Sequence, residues 1–124
     1  MITRITGGIE RGRRLRATKG SSLRPTSQRV RAAIYSMIGR EAVEGSRVLD
    51  LYAGTGSLGI EALSRGASWA DFVEVQPRRC QEIRESLLEM RMAERSHVVR
   101  ARVERALGQL AGEYDLILAD PPYD

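Results

Sequence analysis

The segment from Asp50 to Gly59, DLYAGTGSLG, holds the densest group of residues whose types and spacing could do chemistry. Gly54 and Gly56 permit a tight turn and let a ligand lie against bare backbone, and Gly59 permits close contact between a helix and a sheet. The segment lies between a predicted strand at residues 48–51 and a predicted helix at 57–65, the setting in which G-x-G-x-x-G binds cofactors. The residues predicted to bind the cofactor here are Asp50, Tyr52, Ala53, Gly54, Thr55 and Gly56.

Two classes of cofactor compete for this loop. A nicotinamide dinucleotide brings a pyrophosphate, which needs backbone N–H groups and a helix N-terminus, and a nearby carboxylate would not help to bind it. S-adenosylmethionine has no phosphate, but it carries a sulfonium and an ammonium group, which Asp50 at the strand end would attract. Glu74 ends the next predicted strand and can accept hydrogen bonds from the ribose hydroxyls of either cofactor. Asp50 therefore favours S-adenosylmethionine, whereas Glu74 is compatible with both.

A second chemical group, Asp120-Pro121-Pro122-Tyr123, follows an apolar strand predicted at residues 114–119. The proline pair cannot donate backbone hydrogen bonds, so the strand ends there, at the edge where open α/β sheets bind ligands. The tetrapeptide resembles the (Asp/Asn)-Pro-Pro-(Tyr/Phe) motif of methyltransferases that modify exocyclic amines of bases. Such amines are poor nucleophiles because the lone pair is delocalised into the ring. Asp120 and the Pro121 carbonyl could hold the amine, while Tyr123 could stack on a base extruded from its helix or loop.

Three motifs together resemble a single protein family. They are LRPTSQRVR at residues 23–31, VLDLYAGTGSLGIEALSRGA at 48–67 and YDLILADPPYD at 114–124. In combination they resemble the bacterial 16S ribosomal RNA guanine-N2-methyltransferases of the RsmD type, and the likeness spans essentially the whole chain.

This resemblance implies a class I methyltransferase that transfers a methyl group from S-adenosylmethionine to the N2 amine of a guanine. It implies 16S ribosomal RNA or an assembly intermediate of the small ribosomal subunit as the partner. Its catalytic residues would be Asp120, Pro121, Pro122 and Tyr123. The alternatives are an enzyme that methylates adenine N6 in DNA or glutamine in proteins, a dinucleotide-binding oxidoreductase, and a non-catalytic RNA-binding module.

The distribution of charge indicates a polyanionic partner. Residues 1–31 contain nine basic groups and one acid, a net charge of +8, whereas the remaining 93 residues contain 11 basic and 15 acidic groups. A basic segment of this kind is typical of phosphate contacts in RNA binding. The residues predicted to contact RNA are Arg11, Arg13, Arg14, Arg24 and Arg29. On the predicted helix that begins after Ser27, Arg31 is expected to lie on the outer face with Arg29.

The elements that must position these groups follow from the hydrophobic pattern. Short apolar runs alternate with helical stretches from residue 47 onward, which predicts βαβ units, an α/β fold and a parallel sheet. The family resemblance implies the strand order 3-2-1-4 of a Rossmann-like class I methyltransferase. Residues 1–20 are predicted to form a basic β-ribbon, and residues 21–124 the α/β domain with a helix at its start. The inner face of that helix is predicted to consist of Val30, Ala33, Ile34, Met37 and Ile38.

Length and composition limit the other possibilities. A chain of 124 residues suffices for one ordinary domain. No apolar run is long enough to cross a bilayer and no secretory signal is visible, so we expect no membrane contact and a cytoplasmic location. A single cysteine excludes an internal disulfide and a cysteine-based zinc site, and no other metal site is predicted. The chain stops soon after its fourth predicted strand, so we expect the N-terminal portion of a longer protein. Its uncovered edge could then support association with another copy.

Overall fold

The computed structural model describes residues 3–16, 27–110 and 112–121. These ranges contain four strands and five α-helices, and from residue 47 onward strands and helices alternate as the hydrophobic pattern predicts. In chain order they are α1 (Gln28–Ile38), α2 (Arg40–Val43), β1 (Arg47–Leu51), α3 (Ser57–Ser64), β2 (Trp69–Glu74), α4 (Pro77–Glu89), β3 (Ser96–Arg100), α5 (Val103–Ala106) and β4 (Leu116–Ala119). None of the helices in these ranges is long and apolar enough to cross a membrane.

The four strands form one parallel sheet in the order β3-β2-β1-β4. This arrangement confirms the predicted α/β class and the predicted strand order. The central strand β1 is buried over Val48–Leu51, as expected of a parallel strand that is covered on both faces. In the register of the sheet, Asp50 lies opposite Phe72 of β2 and Leu118 of β4.

Each face of the sheet is covered by its own hydrophobic cluster. The larger cluster joins one face to α3 and α4 and includes Val48, Phe72, Leu63 and Ile83. The smaller cluster covers the opposite face and includes residues of α5. The two inner strands, β1 and β2, are therefore covered on both faces, and the carboxyl edge of the sheet remains to carry a site.

The N-terminal segment, residues 3–16, folds back on itself in antiparallel fashion. A bridge joins Arg4 and Arg14, and the backbone N–H of Ile5 donates to the carbonyl of Arg13 at 2.9 Å. The antiparallel pairing in residues 3–16 is limited to this one bridge and its neighbouring hydrogen bonds, and no strand is formed there. Ile5 and Leu15 are buried in the larger cluster, so the segment packs on the α/β core through apolar side chains. The predicted boundary near residue 20 lies outside the described residues.

Helix α1 presents a different face to the core than the sequence predicts. Met37 is 86% exposed and Val30 is 50% exposed, although both belong to the predicted inner stripe. Ala33 is also exposed. The prediction for these three residues is wrong, and only Ile34 and Ile38 of the stripe pack partly against the core.

Two polar residues account for the rotation of α1. Arg31, which we expected on the outer face, is fully buried and forms an ion pair with the buried Glu61 of α3 at 2.9 Å. Tyr35 is buried beside it and donates its hydroxyl hydrogen bond to the carbonyl of Leu58. Because these partners satisfy the buried polar atoms, the helix can turn its arginine inward, which a count of apolar positions does not anticipate.

The candidate cofactor and substrate site

Three carboxylates lie on one face of the sheet at its carboxyl edge. Asp50 pairs in register with Phe72 and Leu118, and side chains two residues apart on a strand share a face. Glu74 and Asp120 each come two residues after those partners. They therefore flank the place where the chain leaves β1: Glu74 is the last residue of β2, and Asp120 directly follows β4. Sequence positions 50, 74 and 120 meet at this edge only because the strand order is 2-1-4.

The loop after β1 reverses the chain through backbone conformations of the left-handed region. Tyr52 has φ 56°, Gly54 has φ 60° and Gly56 has φ 79°. The N–H of Ala53 donates to the carbonyl of Val73 on β2 at 2.9 Å, which ties the loop to the edge of the sheet. Tyr52 is not a glycine, so its left-handed backbone stores strain of the kind that is concentrated at functional sites.

The helix after this loop packs tightly against the sheet at Gly59. A Cβ atom on Gly59 would lie 2.4 Å from Cε2 of the Phe72 ring and 3.0 Å from Oδ2 of Asp50. No side chain fits in that space, which confirms the predicted role of Gly59 in close contact between helix and sheet. The N–H of Gly59 donates to Oδ2 of Asp50 at 2.9 Å.

Asp50 is held in an environment that opposes its ionisation. It is 1% exposed, and burial raises its pKa from 3.8 to about 8. The hydrogen bond from Gly59 acts in the opposite direction, while the negative charges of Asp120 and Glu74 raise the pKa further. A cation bound beside these carboxylates would favour their ionised forms. It would offset both the cost of burying a negative charge and the repulsion between the carboxylates.

Glu74 joins the loop to the end of β2. Its Oε1 accepts a hydrogen bond from the N–H of Gly54 at 2.9 Å, and its Oε2 accepts one from the N–H of Gln76 at 2.7 Å. Glu74 is 5% exposed. Each carboxylate oxygen can accept a further hydrogen bond, so Glu74 keeps acceptor capacity for hydroxyl groups of a ligand.

Thr55 supplies a second polar group in the loop. Its side chain is buried, and its Oγ1 has no hydrogen-bond partner among the described residues. A buried hydroxyl without a partner is costly, and a polar ligand would offset that cost. The acceptors of Asp50 and Glu74 and this unpaired hydroxyl together fit a cationic cofactor that carries a ribose.

The described part of the tetrapeptide motif lies next to this loop. Asp120 and Pro121 follow β4 directly and are exposed, so both are accessible to a substrate. Pro122 and Tyr123, the other predicted catalytic residues, lie outside the described residues.

The predicted RNA contacts lie on the N-terminal segment and on α1. Arg11, Arg13, Arg14 and Arg29 are all exposed, and Arg24 lies outside the described residues. Arg13 contacts the carboxylate of Glu10 and the backbone carbonyl of Glu89. Arg11 and Arg14, in contrast, make no side-chain hydrogen bond or ion pair within the described ranges.

The sequence analysis missed Glu61. This residue is fully buried on α3, and its carboxylate accepts hydrogen bonds from the N-terminal segment, α1 and Arg65. The available signal was a single acid within SLGIEALS, a short helix whose residues are all buried. A charged residue in such a helix must be paired.

Comparisons with known proteins agree with this architecture. The family model described as Conserved hypothetical protein 95 matches residues 3–124. YlbH of Bacillus subtilis, whose name gives it as a candidate rRNA methyltransferase, is 40% identical over 123 residues, which are 97% of this chain and 66% of that protein. Ribosomal RNA small subunit methyltransferase D of Escherichia coli K12 is 34% identical over 120 residues, covering 97% of this chain and 60% of that protein. The chain thus spans less than two thirds of these relatives.

The solved structures show the same fold. A candidate methyltransferase from Escherichia coli, yhhF, superimposes with a TM-score of 0.88 at 33% sequence identity. The match covers 100% of this chain and 66% of that one. The α/β sheet with strand order 3-2-1-4 is therefore shared with class I methyltransferases.

Proposed function

The chain belongs to the protein family described as Conserved hypothetical protein 95, and from this premise we propose that it transfers a methyl group from S-adenosylmethionine to the N2 amine of a guanine in 16S ribosomal RNA. The observation that carries the proposal is the meeting of Asp50, Glu74 and Asp120 at one edge of the sheet. The names of the B. subtilis and E. coli relatives give ribosomal RNA as the substrate class.

Residues of the loop and of the first two strands would hold the cofactor. S-adenosylmethionine supplies a methyl group bonded to a positively charged sulfur. Asp50 supplies a buried carboxyl group whose ionised form a cationic ligand would stabilise, and Glu74 offers its remaining acceptor capacity to ribose hydroxyls. The backbone of residues 52–56 and the hydroxyl of Thr55 would contact the methionine portion.

The end of β4 would hold the target base. The carboxylate of Asp120 and the carbonyl of Pro121 accept hydrogen bonds from the exocyclic N–H groups, which directs the nitrogen lone pair toward the cofactor. The base must leave its helix or loop to reach this edge, and Tyr123 would stack on it. The exposed arginines of the N-terminal segment and α1 would bind phosphates and leave base recognition to the site.

Radiolabelled methyl transfer to 16S ribosomal RNA that lacks its methyl groups tests this proposal. We expect labelled N2-methylguanine from the wild type, a large loss of rate in Asp120→Asn, and normal rates in Glu113→Gln, a control at an exposed acid that precedes β4. Labelled N6-methyladenine or labelled protein would favour the other amine-directed methyltransferases. Thermal stabilisation by NAD and not by S-adenosylmethionine would favour a dinucleotide-binding protein.

A further inference from the structure

The turn of the N-terminal segment lies directly on the last turn of α3. The N–H groups of Ile9 and Glu10 donate to the carbonyl and the hydroxyl oxygen of Ser64, each at 2.9 Å. The hydroxyl of Ser64 in turn donates to the carbonyl of Gly7 at 2.7 Å. We refer to this contact between residues 6–10 and the last turn of α3 as the docking contact.

Glu61 lies at the centre of the docking contact. Its carboxylate accepts hydrogen bonds from the N–H and hydroxyl of Thr6, the N–H of Gly7, and the guanidinium groups of Arg31 and Arg65. Burial acts to raise the pKa of Glu61, but the N–H of Thr6 and the two guanidinium groups together lower it below its ordinary value. The carboxylate therefore remains ionised and holds three parts of the chain together.

The docking contact joins two functional regions that are distant in sequence. Helix α3 begins directly after Gly56 of the cofactor loop, and Glu61 lies about one helical turn after its first residue. On the other side of the contact, the turn leads into Arg11 and Arg14, which are exposed. A phosphate held by these arginines would thus be connected to the cofactor loop through the docking contact and helix α3.

We propose that Glu61 is a positioning residue, which through the docking contact sets the place of the RNA-binding arginines relative to the cofactor loop. This inference rests on the proposed function and adds the element that places the RNA relative to the site. If the docking contact is broken, the arginines still attract RNA, but the target base is no longer held in register with the methyl donor. Methyl transfer should then slow while RNA affinity is largely kept.

Two glycines of the same turn provide a matched pair of variants. Gly8 has φ 81°, and a Cβ atom there would lie 1.9 Å from the carbonyl oxygen of Ser64. Gly12 has φ 88°, but a Cβ atom there would meet nothing within 4 Å. Alanine at either position carries the conformational cost of a left-handed backbone, and only Gly8→Ala must also push the segment away from α3.

The experiment compares these two variants with the wild type in the full chain. At saturating RNA and S-adenosylmethionine, we expect single-turnover methyl transfer in Gly8→Ala to be slower by about 10- to 100-fold, and Gly12→Ala to match the wild type. RNA affinity and its salt dependence should change little in both variants. Hydrogen exchange at the amides of Ile9 and Glu10 should accelerate in Gly8→Ala alone.

Glu61→Gln is the second probe, with Glu104→Gln on the exposed surface of α5 as its control. We expect faster exchange at the same amides and a lower transfer rate for Glu61→Gln. Equal rates in Gly8→Ala and Gly12→Ala, or unchanged exchange at Ile9 and Glu10, would overturn the positioning role and leave the proposed function intact. Absence of methyl transfer in the wild type would overturn the proposed function and this inference with it.

Discussion

The carboxylate of Asp50 accepts a hydrogen bond from the backbone N–H of Gly59 at 2.9 Å, and so connects the central strand to the first turn of the helix that follows the loop. Gly56, which caps this helix, has no side chain that could accept a hydrogen bond from the N–H groups of the first helical turn. Asp50 supplies an acceptor from the sheet near the positive end of the helix, an environment that favours its ionised form when a cation is bound beside it. A residue expected only to attract a cofactor therefore also stabilises the loop that would hold it.

The raised pKa of Asp50 predicts how stability depends on pH without a ligand. Its pKa is 3.8 in the unfolded chain and about 8 in the fold, so the folded state holds the proton more tightly. The stability that protonated Asp50 contributes is present below about pH 4 and is lost as the pH rises toward 8, by at most about 1.4 kcal/mol per pH unit. In urea unfolding, Asp50→Asn should therefore gain stability relative to the wild type as the pH rises from 5 to 8. A constant difference between the two proteins would contradict the pKa.

Glu74 should contribute directly to cofactor affinity. Glu74→Ala removes the acceptor for ribose hydroxyls and also releases the N–H of Gly54, so binding of S-adenosylmethionine should weaken by about 1–3 kcal/mol. Calorimetric titration measures the change, and Glu104→Ala on the exposed surface of α5 controls for the loss of one negative charge. Unchanged affinity in Glu74→Ala would remove this residue from the site.

The sheet and the loop could be predicted because their signals are local. Each signal lies within a short stretch of sequence: the apolar run of β1, the glycines at 54 and 56, and the acid that ends β2. The residue types in each stretch are enough to indicate a strand, a tight turn and a hydrogen-bond acceptor. The inner face of α1 could not be predicted in this way. Arg31 is buried because Glu61, thirty residues later in the chain, accepts its hydrogen bond. A partner so far along the chain leaves no trace in the periodicity of the helix.

The orientation of α1 predicts that replacing Arg31 destabilises the fold more than replacing Met37, whereas the hydrophobic pattern predicts the reverse. Arg31→Met should destabilise the fold by about 3–5 kcal/mol, because it removes one partner of a buried ion pair. Met37→Ala should change the free energy of unfolding by no more than about 0.5 kcal/mol, since Met37 is 86% exposed. Urea unfolding of the two variants gives both values. A larger loss in Met37→Ala would show that the stripe faces the core after all.

The free edge of β4 should promote self-association. This strand pairs with β1 on one side and with no other strand in the described part of the chain, and Ile117 on it is 58% exposed. An exposed apolar edge strand is a template for pairing with another chain, and lysine on such an edge opposes it. Light scattering should show mass rising with concentration for the wild type and less so for Ile117→Lys. Leu88→Lys, which changes an exposed leucine on α4, is the control. A wild type that stays monomeric at all concentrations would contradict this prediction.

The exposed arginines of the N-terminal segment should differ in their contributions to RNA binding. Arg13 contacts Glu10 and Glu89, and Arg16 forms an ion pair with Glu89, so part of their charge is already neutralised. Arg11 and Arg14 are exposed and have no such partner within the described ranges. A phosphate should bind Arg11 and Arg14 more favourably than Arg13 and Arg16, because Arg11 and Arg14 give up no interaction within the protein.

Two double variants of equal charge test this difference. Replacing Arg11 and Arg14 with alanine should weaken RNA binding and lower the log–log salt slope by about 0.7–0.9 for each phosphate that the protein no longer neutralises. Replacing Arg13 and Arg16 with alanine removes the same formal charge but should change the slope much less, because arginines that are already paired with Glu10 and Glu89 neutralise few phosphates. Filter binding or fluorescence anisotropy across a series of salt concentrations measures both slopes. Equal reductions in the two variants would mean that RNA binding depends on the total charge of the segment, and that Glu10 and Glu89 do not select which arginines reach the phosphates.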